Sequence, residues 1–109
     1  MSRHAEAKLD AVFTALANPT RRRMLARLAE GTATIGELAE PFAMTVPAIS
    51  KHLRVLERAG LVHRERDGWY HRCALDPRPL DDAADFIARY RVFWEASLDE
   101  LARFVEGKG

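Results

Sequence analysis

Apolar positions recur at helical spacing in several stretches of the chain and switch to a strand-like pattern in one. Leu9, Val12, Phe13 and Leu16 predict a first helix over about residues 5–17. Asn18 is a capping residue, and Pro19 sits where a first-turn amide is not needed. Met24, Leu25 and Leu28 give the second helix its buried face, and Gly31 stops it. In "TIGELAEPF", Thr34 and Glu37 have capping-box spacing, Ile35, Leu38 and Ala39 form a short apolar face, and Pro41 limits the helix to about two turns. After a connection of about four residues, Thr45 caps a fourth helix that carries Pro47 in its first turn and ends at Gly60. Two helices so joined read as a helix-turn-helix over about 34–59.

The period changes in "LVHRERDGWYHRCAL". Asp67-Gly68 predicts a two-residue hairpin turn, with Val62 before it and Trp69 and Tyr70 after it as strand formers. With that loop His63 pairs with Arg72 and His71 with Arg64, which puts the two imidazoles on opposite faces. Pro77 and Pro79 close this wing, about 61–75, and open a final helix over about 80–106. The expected fold is mainly α with a small β-hairpin: one winged helix-turn-helix domain spanning 1–109, with about five helices.

At 100° per residue, Ile49, Leu53 and Leu56 of the fourth helix fall within ~60° of arc, with Val46 beside them. The opposite side carries Pro47, Lys51, Arg54, Val55 and Arg58, flanked by Ala48 and Ser50, and Glu57 is the one acid in the helix. Small residues at the leading end suit close approach to base edges, and a helix N-terminus favours a phosphate. The expected DNA contacts are therefore Thr45, Val46, Pro47, Ala48, Ser50, Lys51, His52, Arg54 and Arg58 of the helix, with Arg64 and Arg66 of the wing. Arg66, near the wing tip, is placed for a phosphate or the minor groove. The "RRR" at 21–23 reads instead as solvated surface or intramolecular ion pairing. An acidic protein is the alternative occupant of the basic face, though no sequence feature favours it.

Charge sharpens this picture. The net charge is only +1, but residues 45–75 hold six basic and three acidic groups, whereas residues 76–109 hold five and eight. The middle meets an anion and the tail does something else. Hydrophobic residues at 48% and charged residues at 30% exclude disorder. No apolar run approaches the ~20 residues of a membrane span, and "MSRHAEAKLD" lacks the apolar core of a signal peptide, so the expected location is the cytoplasm, with no membrane partner.

"ALANPTRRRMLARL", "TIGELAEPFAMTVPAISKHLRVLERAGLV" and "RDGWYHRCAL", in order and over most of the chain, resemble the ArsR-type (ArsR/SmtB) family of bacterial winged-helix repressors. The resemblance implies a homodimeric repressor that binds an inverted-repeat operator and leaves when a signal arrives. Metal-sensing members carry paired cysteines in the third helix, or histidines and carboxylates along the last. Here the third helix has no cysteine and the last helix has no histidine, so no metal and no cofactor are expected. The lone Cys73 reads as a small buried hydrophobe.

The final helix carries two apolar stripes: Leu80, Ala84, Ile87, Trp94, Leu98, Leu101 and Val105, and about 100° away Phe86, Tyr90, Phe93 and Phe104. One stripe docks a terminal helix on its own subunit, and two call for a partner, of which a second copy is the simplest. The expected dimer interface is Val12, Phe13 and Leu16 of the first helix with Phe86, Tyr90, Phe93, Trp94, Leu98 and Leu101 of the last. A small-molecule inducer, if used, is confined to that interface or to the gap between the last helix and the winged core. No enzyme activity is expected: Ser50 and His52, the one nearby nucleophile and base, point ~200° apart on the helix.

Overall fold

The computed structural model describes residues 3–107. Five helices and three short strands follow in the order α1 (Arg3–Leu16), α2 (Pro19–Ala29), β1 (Ala33–Thr34), α3 (Ile35–Ala39), α4 (Val46–Arg58), β2 (Val62–Asp67), β3 (Tyr70–Leu75) and α5 (Arg78–Gly107). Each middle helix begins where a side-chain oxygen takes up an orphan backbone donor. Asn18, Thr34 and Thr45 accept from the amides of Arg21, Glu37 and Ala48, and each such cap contributes ~1 kcal/mol.

The helix-turn-helix differs from expectation at its joint. α3 is five residues long rather than two turns, and six residues separate it from α4. Pro41 has no amide to continue the helix, and the chain leaves through a turn in which Phe42 N–H donates to Ala39 O at 3.0 Å. α4 ends in a Schellman motif. Gly60 N–H donates to Glu57 O at 2.9 Å and Leu61 N–H to Leu56 O at 3.0 Å, with Gly60 at φ +74°, a left-handed conformation that a side chain resists. That motif aims the buried Leu61 and Val62 into the core and starts the wing.

The core lies where α1, α2, α3, α4 and the sheet converge, and it holds Met24, Leu28, Leu38, Ile49, Leu53, Leu56, Leu61 and Cys73, all 3% exposed or less. The buried stripe of α4 is thus the expected one, except that Val46, placed beside it by periodicity, is 51% exposed, and Val55 packs partly against the core. Among the described residues Val46, in the first turn of α4, does not pack against the core.

The wing is part of a three-stranded antiparallel sheet of order β1-β3-β2, not an isolated hairpin: Ala33 pairs with Cys73 and Thr34 with Arg72. Its register also departs from expectation. Asp67 pairs with Tyr70, so Gly68-Trp69 forms the turn, and His63 lies opposite Ala74 and His71 opposite Arg66. An Asp-Gly type I′ turn needs positive φ at both residues. Here only Gly68, at +60°, is positive, the sign pattern of a type II′ turn with glycine first. Asp67 stays in the strand, where its carboxylate accepts from Arg72 Nε at 3.2 Å. A shift of two residues preserves side-chain parity, so the two histidines still lie on opposite faces.

α5 begins two residues earlier than expected. Asp76 N–H donates to Leu61 O at 2.8 Å, and the Asp76 carboxylate accepts from the Arg78 backbone amide at 3.1 Å, turning the chain into the helix. Only the first turns of α5 dock on the subunit: Ala83 is buried, Leu80 packs against the core, and Phe86 meets Phe13 edge-on with ring centroids 5.6 Å apart. The remainder projects outward, giving extents of 70 × 33 × 21 Å and a radius of gyration of 19.1 Å, against ~13 Å for a compact chain of this length.

Candidate nucleic-acid interface

α4 divides sharply between a buried face and an open one. Ile49, Leu53 and Leu56 are fully enclosed, while Thr45, Val46, Pro47, Lys51, Arg54 and Arg58 are exposed and Ala48 and Ser50 are partly so. Enclosure of the apolar stripe fixes the helix about its axis, so Lys51, Arg54 and Arg58 are held outward together. The one carboxylate of the helix is neutralised from the wing, since Arg64 donates to Glu57 Oε1 from Nε at 3.0 Å and from its terminal nitrogen at 2.9 Å. This pair removes an anion from a surface that would face phosphates and ties the base of the wing to the last turn of α4. Arg64 is thereby committed to Glu57, whereas Arg66 is exposed near the tip, its Nε 3.4 Å from Gly68 O.

His52 is placed differently from its neighbours. It is half-buried, and Arg21 of α2 brings a terminal guanidinium nitrogen to 3.4 Å from its Nδ1. Burial, then the nearby Arg21 charge, lowers the His52 pKa from 6.5 and so favours the neutral ring. Arg21 itself is anchored on the C-terminal carbonyls of α1, donating to Ala15 O at 2.9 Å and Thr14 O at 2.6 Å, and Arg22 donates to Leu16 O at 2.7 Å. The arginine run is therefore not merely solvated or paired with carboxylates: two of its members cap a neighbouring helix. Their signal in the sequence is position, a few residues past a helix end whose last carbonyls lack partners.

Of the residues expected at a dimer contact, Val12 is instead a core residue, 2% exposed, because its position on α1 turns into the subunit. Phe13 and Leu16 are half-buried, and Phe86 lies between Phe13, which it meets edge-on, and Tyr90, whose ring is tilted against it with centroids 4.9 Å apart. Tyr90, Phe93, Trp94, Leu98 and Leu101 are all more than half exposed, as are Ile87, Phe104 and Val105 on the same flank of α5. A cleft of about 400 Å³ opens between α1, the end of α4 and the start of α5, with Lys8, Arg58, Arg78 and Asp82 around an apolar floor of Val12 and Pro79. Cys73 is fully buried and its thiol pKa is raised, chiefly by that burial. Among the described residues no group of three His, Cys, Asp or Glu side chains could hold a metal ion, and no helix is long and apolar enough to cross a membrane.

Comparison with known proteins agrees with this geometry. Residues 16–65 match a helix-turn-helix domain family. The chain is 36% identical over 100 residues to the HTH-type transcriptional regulator Rv2034 of Mycobacterium tuberculosis, covering 92% of this chain and 91% of that protein. It is 33% identical over 82 residues to the transcriptional repressor SdpR of Bacillus subtilis, covering 75% and 91%. A crystal structure of an ArsR family transcriptional regulator superposes with a TM-score of 0.76 at 38% identity, over 83% of this chain and 93% of the other. With its capped recognition helix, braced wing and near full-length relatives, the chain belongs to the ArsR family of winged helix-turn-helix regulators and is a DNA-binding transcriptional regulator.

Proposed function

We propose that the protein is a homodimeric repressor that seats α4 in the major groove of each half of an inverted-repeat operator. The observation that carries this reading is the open face of α4, with Lys51, Arg54 and Arg58 held outward and Glu57 neutralised by Arg64. Lys51, Arg54 and Arg58 contact phosphates. The small leading end, Thr45, Val46, Pro47 and Ala48, with Ser50, approaches the base edges. Arg66 extends the contact from the wing. His52 acts from the rim of the surface, its Nδ1 engaged by Arg21.

The exposed apolar flank of α5 supports the dimer, since a single subunit leaves it in water. Two copies joined there present two recognition helices for successive turns of DNA, ~34 Å apart. Repression is the role named for the relative SdpR. The cleft beside Arg58 suits a small-molecule inducer that favours a dimer mis-spaced for DNA. The test is a mobility-shift titration with DNA from upstream of the gene and duplexes selected from a random pool, at several salt concentrations. A steeply salt-dependent, sequence-selective complex is expected. Lys51→Ala and Arg54→Ala each weaken it and flatten the salt dependence by about one ion per half-site. Binding indifferent to salt or sequence rules the reading out.

A further inference from the structure

We propose that the tip of the wing carries an indole wedge: Trp69 enters the minor groove beside the α4 contact, partly unstacks a base step and bends the site. The proposal rests on the reading of α4 as the major-groove helix. Trp69 is 95% exposed at the second position of the two-residue turn, and Tyr70, 67% exposed, follows it. A side chain of this size left in water forfeits the burial it was capable of, and tryptophan is rarely so exposed.

Its surroundings indicate the occupant. The two acids of the outer wing are drawn to neighbours, Asp67 to Arg72 at 3.2 Å and Glu65 to His63 at 3.5 Å. Arg66 brings its Nε to 3.4 Å from the turn carbonyl of Gly68, the residue before Trp69, so a cation sits at the base of the same turn. An exposed aromatic tip on a turn that also holds the Arg66 cation matches an anionic duplex with stacked bases, and apolar wedges are used between base steps in the minor groove.

Reach agrees as well. From Arg64, which is tied to the last turn of α4, four extended residues carry the chain ~13 Å to the turn, and half a helical turn of DNA, from major to neighbouring minor groove, is ~17 Å. The wedge makes the protein selective at a position that α4 does not touch. Pyrimidine–purine steps unstack easily and are favoured there, and stiff A-tracts are disfavoured.

The test uses the full chain and a duplex recovered by selection from a random pool, carrying 2-aminopurine at the step under the wing and donor and acceptor dyes at its ends. Binding is expected to raise 2-aminopurine fluorescence and bring the ends closer. Trp69→Ala removes both signals and weakens binding on the order of tenfold, while Trp69→Phe retains most of each. Replacing the step with an A-tract weakens the wild type and leaves Trp69→Ala unaffected. Circular dichroism is expected to be the same for all three proteins, since Trp69 packs on nothing in the core. A salt-sensitive, sequence-selective complex that Trp69→Ala forms with unchanged affinity and bend overturns the wedge and leaves the α4 reading standing. No such complex with wild type overturns both. A change in the sedimentation of free Trp69→Ala without a change on DNA makes the indole a contact between copies and overturns the wedge.

Discussion

Arg21 joins the end of α1 to the recognition helix: one guanidinium holds Thr14 O at 2.6 Å, Ala15 O at 2.9 Å and His52 Nδ1 at 3.4 Å. Because an arginine only donates, Nδ1 of His52 accepts and Nε2 carries the ring proton. Three chain segments therefore meet at one cation, and the orientation of the DNA-facing helix is coupled to α1, against which α5 packs through Phe13 and Phe86.

This contact predicts a pH dependence. Folding lowers the His52 pKa below 6.5, so the unfolded chain binds the proton first, and stability is complete above 6.5 and is lost as pH falls through the folded value. His52→Asn keeps an acceptor for Arg21 and removes the titration, so its urea midpoint changes less than the wild type's between pH 7 and 5. Arg21→Ala moves the His52 titration back toward 6.5 by NMR and costs about 1 kcal/mol, since the last carbonyls of α1 lose a charged donor.

Leu53 anchors the inner face of α4 at 0% exposure. Leu53→Ala is expected to destabilise the protein by about 2–5 kcal/mol in urea unfolding, through lost burial and the cavity left behind. Lys51→Ala, two positions away on the opposite, exposed face of the helix, changes stability by less than ~0.5 kcal/mol while weakening DNA binding. Equal stability losses would mean that the two faces of α4 are not divided as described.

The outer part of α5 predicts an obligate assembly. Leu98→Glu with Leu101→Glu puts charge on the exposed apolar flank. The wild type is expected to sediment as a dimer and the double variant as a monomer, with operator affinity reduced at least a hundredfold because each half-site is then bound alone. A wild type that sediments as a monomer at micromolar concentration contradicts the dimer.

Asp76 carries a second titration. Hydrogen bonds from the Arg78 side chain, then from its backbone, lower the Asp76 pKa from 3.8 to about 2. The associated stability is present above 3.8 and is lost as pH falls through about 2. Arg78→Ala is expected to return the carboxyl toward its ordinary range in a carboxyl NMR titration. It also loosens the entry into α5, because the bond from Arg78 Nε at 3.0 Å is lost.

The helices and their caps were legible in the residues themselves, because a cap and an apolar period are local properties: Asn18, Thr34 and Thr45 each cap as their positions predict. The basic face of α4 was legible for the same reason. The two-residue β1 was not, since Ala33 and Thr34 become a strand only by pairing with Cys73 and Arg72 some forty positions away. Nor was the wing register, because Asp-Gly and Gly-Trp both satisfy a two-residue turn, and the strand pairing that retains the Asp67–Arg72 ion pair decides between them.

Periodicity and capping residues therefore determined where the helices lie and, Val46 aside, which face of α4 is apolar, since those follow from backbone geometry and neighbouring side chains, while the length of α3 and the start of α5 were set by the turns that flank them. Tertiary packing decided which apolar residues are spent inside the subunit and which remain outside. Val12 and Phe13 stand side by side on α1, yet one is enclosed and the other meets Phe86. The same packing assigned Arg21 to helix carbonyls and His52, and left Trp69 alone in solvent. Such outcomes depend on which surface arrives opposite a residue, and a linear pattern of residues does not contain that distance.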